Sequence, residues 1–298
     1  MNRRGFRIIL VLGLAAAAVG LCISLTSSHK EEAVLPDGRV QLRLNEALTN
    51  EISDTSALTG LDTKIQSYMR QWGLHGASLA IMRNDSLVYA KGYGWADEEK
   101  QVKMQPSNIL RVASVSKLLT AAGIMLLQDQ GKLNIKDTVF GPRGILTDTT
   151  YTSVMKDPNY KKITVEDLLR HKGGFTSYGG DPMVSPRTIM QTNHLDTPPD
   201  NIQLMKIMLR RRLRFVPGTS QYYSNFGYLL LSKVIEKVSG QPYEEFMQKN
   251  VLKPAGCYDM HIAENYYEDK RKNEVRYYNG ADTCLVDEFN NSGTMQQR

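Results

Sequence analysis

The sequence predicts an α+β fold, in which an antiparallel sheet flanked by helices is followed by a mostly α-helical region. Three observations predict it. Two short apolar runs, Ala77–Met82 and Leu87–Tyr93, flank Arg83-Asn84-Asp85 and read as a β-hairpin. Lys117–Gln130 carries apolar residues on nearly every face, the pattern of a buried helix. From there to about Leu252, apolar residues recur at helical spacing between long loops. Composition agrees: 298 residues, 41% hydrophobic and 23% charged, are too apolar and too evenly mixed for disorder.

The amino terminus reads as an address rather than as fold. Arg3, Arg4 and Arg7 precede the apolar run Ile8–Leu25, and no further charge occurs until after Ser28. Its 18 residues suit both a cleaved signal peptide and an uncleaved anchor. Lipid attachment at Cys22 is disfavoured, because the bulky Leu21 stands where processing needs a small residue. Residues 1–28 are therefore expected to export the chain, leaving it periplasmic or held at the inner membrane through residues 8–25 and facing the periplasm. Residues 29–56 read as a polar tether and residues 57–298 as the folded domain. In an oxidising compartment Cys257 and Cys284 can pair or remain separate thiols. Half of the net charge of +6 belongs to the first segment. The remaining basic cluster, Arg210, Arg211, Arg212 and Arg214, reads as a solvated helix end; nucleic-acid binding needs a larger positive excess.

Within the domain, Leu61, Ile65, Tyr68, Met69 and Trp72 define an amphipathic helix ending near Gly73. The hairpin follows, and Gly131 is the natural stop for the buried helix. Thr164-Val165-Glu166-Asp167 opens a helix through Arg170 with capping chemistry. Asp181–Asp200 is rich in Pro and Thr and reads as loop. Asn225–Val238 is helical by its Leu229, Leu230, Val234, Ile235 and Val238 spacing and stops at Gly240, after which Pro242 starts a short helix. Beyond about Ala263 the chain is Tyr-rich and charged, with no clear strand pair.

Several function classes lack their motifs. The sequence contains no GxxxxGK[ST], HExxH or GxSxG, and no GxGxxG after a strand; three Cys and five unclustered His give no metal spacing. No cofactor is expected. Two local patterns carry chemistry instead. In Ser114-Val115-Ser116-Lys117 the serine stands where a buried helix begins, among unpaired backbone N–H groups, and the lysine returns to the same face one turn on. A lysine in an enclosed site loses solvation and becomes a better base for a serine's proton. In Tyr223-Ser224-Asn225, ahead of another apolar helix, a phenol and a carboxamide can point into one cleft. Read alone, Asn225 is a helix N-cap and Tyr223 a packed aromatic.

Taken in order, the hairpin, S-x-x-K on a buried helix, a helical region and Pro217-Gly218-Thr219-Ser220-Gln221-Tyr222-Tyr223-Ser224-Asn225 resemble the serine β-lactamase and penicillin-binding-protein superfamily. The branch that it resembles is the class C-type group of serine hydrolases, D-alanyl-D-alanine carboxypeptidases and esterases. The resemblance runs from about Leu61 to Met260 and includes Leu110–Lys117 and Ile163–Leu169. It implies a β-lactamase/transpeptidase-like fold with Ser114 as the acylated nucleophile and Lys117 as its general base. It further implies Tyr223 as the proton-shuttling phenol, Asn225 as a substrate and lysine contact, and the Ser114 backbone N–H as half of an oxyanion hole. Glu166, which precedes Tyr223, is expected to be structural.

The superfamily's third motif, [KH]-[ST]-G on a strand, is not found: Lys172-Gly173-Gly174 comes too early in the chain and Asn291-Ser292-Gly293 lies in loop-like sequence. The sequence therefore predicts a piece of a longer enzyme, its C-terminal sheet strands missing and its sheet reduced essentially to the hairpin. The expected activity is hydrolysis of a small-molecule or peptide substrate (a β-lactam, a D-Ala-terminated peptide or an ester) through a Ser114 acyl-enzyme. The alternatives are a penicillin- or peptidoglycan-binding protein without turnover, and an inactive fragment.

Overall fold

A computed structural model of the chain describes residues 33–34, 40–41, 48–53, 58–175, 181–264, 267 and 269–278. The expected address segment, most of the tether and Cys284 lie outside these residues. Cys257 is half-buried, its Sγ 3.9 Å from the Ala255 carbonyl. Among the described residues no helix is long and apolar enough to cross a membrane. The chain divides into two units, Met1–Leu44 and Asn45–Arg298. In the first, β1 (Ala33–Val34) pairs antiparallel with β2 (Val40–Gln41).

The second unit opens with helix α1 (Thr59–Trp72), which Gly73 ends in the left-handed conformation at φ 61°. Its expected apolar stripe is only partly covered: Met69 is buried, whereas Tyr68 and Trp72 are exposed and lean on each other with ring centres 6.1 Å apart. Strands β3 (Gly76–Arg83) and β4 (Ser86–Asp97) then form the expected hairpin. Its two-residue loop, Asn84-Asp85, has φ of 48° and 58°. Positive φ at both loop positions suits the right-handed strand twist, and Asn and Asp tolerate it better than other side chains. The sheet is larger than a hairpin, because β5 (Val102–Lys103) pairs antiparallel with β4 across an irregularity between Trp95 and Asp97. Segment 273–276, expected to be plain loop, bonds to this region: Ile109 N–H donates to the Asn273 carbonyl, Val275 N–H to the Ile109 carbonyl and Arg276 N–H to the Ala96 carbonyl. Val275 joins Ala96 and Met104 in a small apolar cluster of its own.

A polar lock ties α1 to the sheet. The Asp62 carboxylate accepts from Tyr89 Oη at 2.6 Å, Tyr93 Oη at 2.8 Å and Lys91 Nζ at 2.8 Å. The Lys91 ammonium, and after it the Tyr89 hydroxyl, hold the Asp62 carboxyl down from 3.8 to about 2. At 1.36 kcal/mol per pH unit this is a stabilisation of roughly 2 kcal/mol. Because the folded pKa lies below the unfolded one, it is present in full above about pH 4 and is lost as pH falls through the folded value. Asp62→Asn should therefore cost about 2 kcal/mol in urea unfolding at pH 7, with the difference from wild type shrinking at pH 2.5.

The remainder is helical. Helix α2 (Ser116–Asp129) packs against α7 (Asn225–Ser239) and the short α8 (Tyr243–Met247), with α3 (Thr149–Thr152), α4 (Val165–Leu169), α5 (Pro186–Asn193) and α6 (Asn201–Leu209) around them. Helix α5 corrects the reading of Asp181–Asp200 as loop: Pro186 occupies its first turn, where a missing N–H costs nothing. The core between these helices holds Ile124, Leu127, Leu168, Phe175, Phe226 and Leu230, with Phe175 and Phe226 edge-to-face at 5.0 Å. Each such burial contributes about 1.5–3 kcal/mol. Helix α2 is buried on one face only. Thr120, Gly123, Ile124 and Leu127 point inward, while Leu118 is 69% exposed.

Candidate active site

The site is built where two helices begin. Ahead of α2 the chain makes a single 3-10 turn, Ala113–Val115, entered through Ala113 at φ 44°. A left-handed alanine costs about 1–2 kcal/mol. This turn leaves Ser114 exposed at the mouth of α2, where the first backbone N–H groups of a helix lack intrahelical acceptors. Lys117, one turn further on, is only 8% exposed. Ahead of α7, Ser224 is the N-cap, its Oγ accepting from Gly227 N–H at 3.1 Å. Asn225 is thus the first helical residue and not the cap that its sequence position implies, which frees its side chain to face α2.

The four predicted residues meet. Ser114 Oγ lies 2.7 Å from Tyr223 Oη. Lys117 Nζ donates to Ser114 Oγ at 3.2 Å and to Asn225 Oδ1 at 2.6 Å. The same ammonium sits 4.8 Å from the centre of the Tyr223 ring and 5.5 Å from that of Tyr228. Among the described residues no carboxylate pairs with it, so an amide oxygen, the Ser114 hydroxyl and two aromatic faces are what compensate a nearly buried cation. The Asn225 N–H in turn donates to Asp181 Oδ2 at 3.2 Å, which fixes the head of α7.

Glu166 is elsewhere, paired with Lys136 and Arg170, the first of these holding its carboxyl below the usual range. The reciprocal cap of α4 uses Asp167: Thr164 Oγ1 accepts from Asp167 N–H at 3.1 Å, while Asp167 Oδ2 accepts from Thr164 N–H at 3.0 Å. Arg210 caps the end of α6, as a solvated helix end should.

One neighbour was missed by sequence reasoning. His171 follows α4 and stacks its ring 4.5 Å from that of Tyr223 and 5.1 Å from that of Tyr228. A lone His carries no spacing signal; the clue available was its place in His171-Lys172-Gly173-Gly174, a turn directly after a capped helix. That turn is stitched to the strand of chain leading into Tyr223. Arg214 N–H donates to Gly174 O at 2.7 Å, Gly218 N–H to Lys172 O at 3.0 Å and Tyr222 N–H to His171 O at 2.9 Å.

Among the described residues the site is an open one. Tyr223 is 49% exposed, and the hollow of about 780 Å3 between α1 and the sheet, lined by Met69, His75, Tyr93, Trp95 and Met104 among others, includes none of the four residues. Among the described residues, no group of three or more His, Cys, Asp or Glu is placed to hold a metal ion.

Comparison with known proteins bears on the family and fold of the chain. The family model described as Beta-lactamase matches residues 61–295. The "Putative penicillin-binding protein PbpX" of Bacillus subtilis strain 168 is 28% identical over 264 residues, 86% of this chain and 60% of that protein. The octameric penicillin-binding protein homologue from Pyrococcus abyssi superposes with a TM-score of 0.58 at 26% identity, covering 80% of this chain and 52% of that one. The Beta-Lactamase/D-Alanine Carboxypeptidase from Pseudomonas syringae gives 0.61 at 22% identity, covering 81% and 62%, and so shares the fold. The chain spans about 60% or less of the first two of these proteins.

Proposed function

The chain belongs to the Beta-lactamase family, and on that premise we propose that it is an exported serine hydrolase working through an acyl-enzyme on Ser114. One observation carries the reading: Ser114 Oγ is within hydrogen-bond reach of both Tyr223 Oη and Lys117 Nζ. In this reading the serine attacks a carbonyl carbon, and its proton passes to Tyr223 as phenolate or to Lys117 as free amine, whichever of the two has first given up its own proton to solvent. The Ser114 backbone N–H donates to the oxyanion that forms, a contribution of about 3–4 kcal/mol to lowering the barrier. The same relay then protonates the leaving nitrogen or oxygen, and water releases the acyl group. Asn225 holds Lys117 in place throughout. The substrate class is a β-lactam, a D-Ala-terminated peptide or an ester, in keeping with the names of the relatives. The basic and apolar start of the sequence supports export, with the domain periplasmic or anchored facing the periplasm.

A second reading, binding without turnover, is favoured by the exposure of Ser114 and Tyr223 among the described residues, which do not enclose the pair as a dry reaction site would. A three-substrate assay separates the two. Turnover of a β-lactam, a D-Ala-D-Ala peptide or a short p-nitrophenyl ester that disappears in Ser114→Ala is the expected outcome. Penicillin binding that survives the substitution, without turnover of any of the three, would instead establish the binding protein.

A further inference from the structure

We propose that His171 is a positioning residue of this site, holding the Tyr223 phenol against Ser114 Oγ through a neutral imidazole. The inference rests on the hydrolase reading for its consequence and on contacts alone for its geometry. The His171 ring lies against Tyr223 at 4.5 Å with the planes 35° apart, and against Tyr228 at 5.1 Å. Tyr223 therefore has His171 on its ring and the Lys117 ammonium 4.8 Å from its ring centre. The backbone on both sides of Tyr223 is tied to the same residue: Tyr222 N–H donates to the His171 carbonyl at 2.9 Å, and Ser224 N–H donates to His171 Nδ1 at 3.2 Å. Three successive residues are thus registered on one histidine. That histidine is itself held at φ 56°, a conformation costly for most side chains.

The contact to Ser224 decides the tautomer. Nδ1 accepts, so the ring proton of the neutral form sits on Nε2. A second proton on Nδ1 would set two donors against each other and release the Ser224 N–H, the backbone link nearest the phenol. The charged and titratable groups facing the ring are Lys117 from α2, Tyr228 from α7 and Tyr223 itself; the Asp181 carboxylate is engaged by Asn225 N–H. None of the three groups facing the ring favours an imidazolium. Burial first, and the Lys117 charge second, hold the imidazole below its ordinary range. Acidification is therefore expected to unlock Tyr223 before it unfolds the chain.

His171→Asn is the informative substitution, because Asn keeps an acceptor for Ser224 N–H and tolerates the left-handed backbone while removing the ring. In chain carrying 13C-labelled Tyr, the Tyr223 ring signals, assigned by their loss in Tyr223→Phe, are expected to shift in His171→Asn. Acylation of Ser114 by a fluorescent penicillin is expected to fall about 10–100-fold, the usual consequence of an ångström-scale misplacement. The acidic limb of the wild-type rate profile should change with it, losing the step that follows His171 protonation and keeping the one set by the base beside Ser114. Unmoved Tyr223 signals, or an acidic limb identical to wild type in the variant, would overturn the proposal. Should His171→Asn not fold, the wild type still decides: the Tyr223 signals must move in step with His171 protonation below pH 6.5, and a flat response refutes the role. Absence in wild type of both penicillin labelling and turnover of the D-Ala-D-Ala peptide and the p-nitrophenyl ester would sink the hydrolase reading alone, leaving the Tyr223 signals to judge His171.

Discussion

Lys117→Met is expected to slow acylation of Ser114 by about 10²–10⁴-fold while leaving the domain folded. Methionine matches the length of the lysine stem but offers no nitrogen at the point 3.2 Å from Ser114 Oγ and 2.6 Å from Asn225 Oδ1. The serine proton would then have the Tyr223 hydroxyl as its one side-chain acceptor within reach among the described residues. Stability should fall by no more than about 1–3 kcal/mol, since methionine removes the desolvation cost of a nearly buried cation while leaving Asn225 Oδ1 without its donor. Thermal unfolding and single-turnover labelling, measured on the same samples, separate the two effects. Wild-type acylation in this variant would remove the lysine from the mechanism.

Gly174→Ala is expected to destabilise the domain by about 2–4 kcal/mol and to disorganise the site at the same time. Gly174 sits at φ 84°, where L side chains are strained, and a Cβ there would overlap the Phe215 carbonyl oxygen, which is backbone and cannot swing aside. The same residue receives Arg214 N–H at 2.7 Å, so relief of the overlap must pull apart the two segments that carry His171 and Tyr223. The neighbouring Gly173 meets mainly the Phe175 and Leu168 side chains, which can yield, so Gly173→Ala should be the milder change. Urea unfolding of the two variants tests the contrast; equal stabilities would contradict the account of the turn.

The parts of this molecule legible in the sequence are those fixed by local chemistry. The hairpin announces itself through alternating apolar runs around Asn84-Asp85, and the ends of α1, α2 and α7 through Gly73, Gly131 and Gly240, all three at positive φ. Ser114 and Lys117 share a face by helical spacing alone. Their meeting with Tyr223 and Asn225, more than a hundred residues away, was readable only through family resemblance, because nothing local encodes it. What was not legible depends on tertiary partners. Strand β5 is two residues long and exists by pairing with Trp95 and Asp97. Helix α5 hides behind Pro186, which serves as a start signal only when a helix follows. His171 acquires significance solely from the rings that close around it, and segment 273–276 from carbonyls and amides supplied by Ile109 and Ala96. Asn225 shows the reverse case: a good N-cap residue displaced by the serine before it, because its carboxamide is engaged by Lys117.

The most direct trial is peptide-level mass spectrometry after brief exposure of the purified protein to a reactive β-lactam. A covalent penicilloyl adduct on the fragment containing residue 114, formed in wild type and missing from both Ser114→Ala and an unfolded control, is the predicted finding. Unmodified serine there alongside adducts scattered over surface lysines, repeated with a p-nitrophenyl ester and a D-Ala-D-Ala peptide, would mean that the hydroxyl gathered beside an amine and a phenol is not a nucleophile at all.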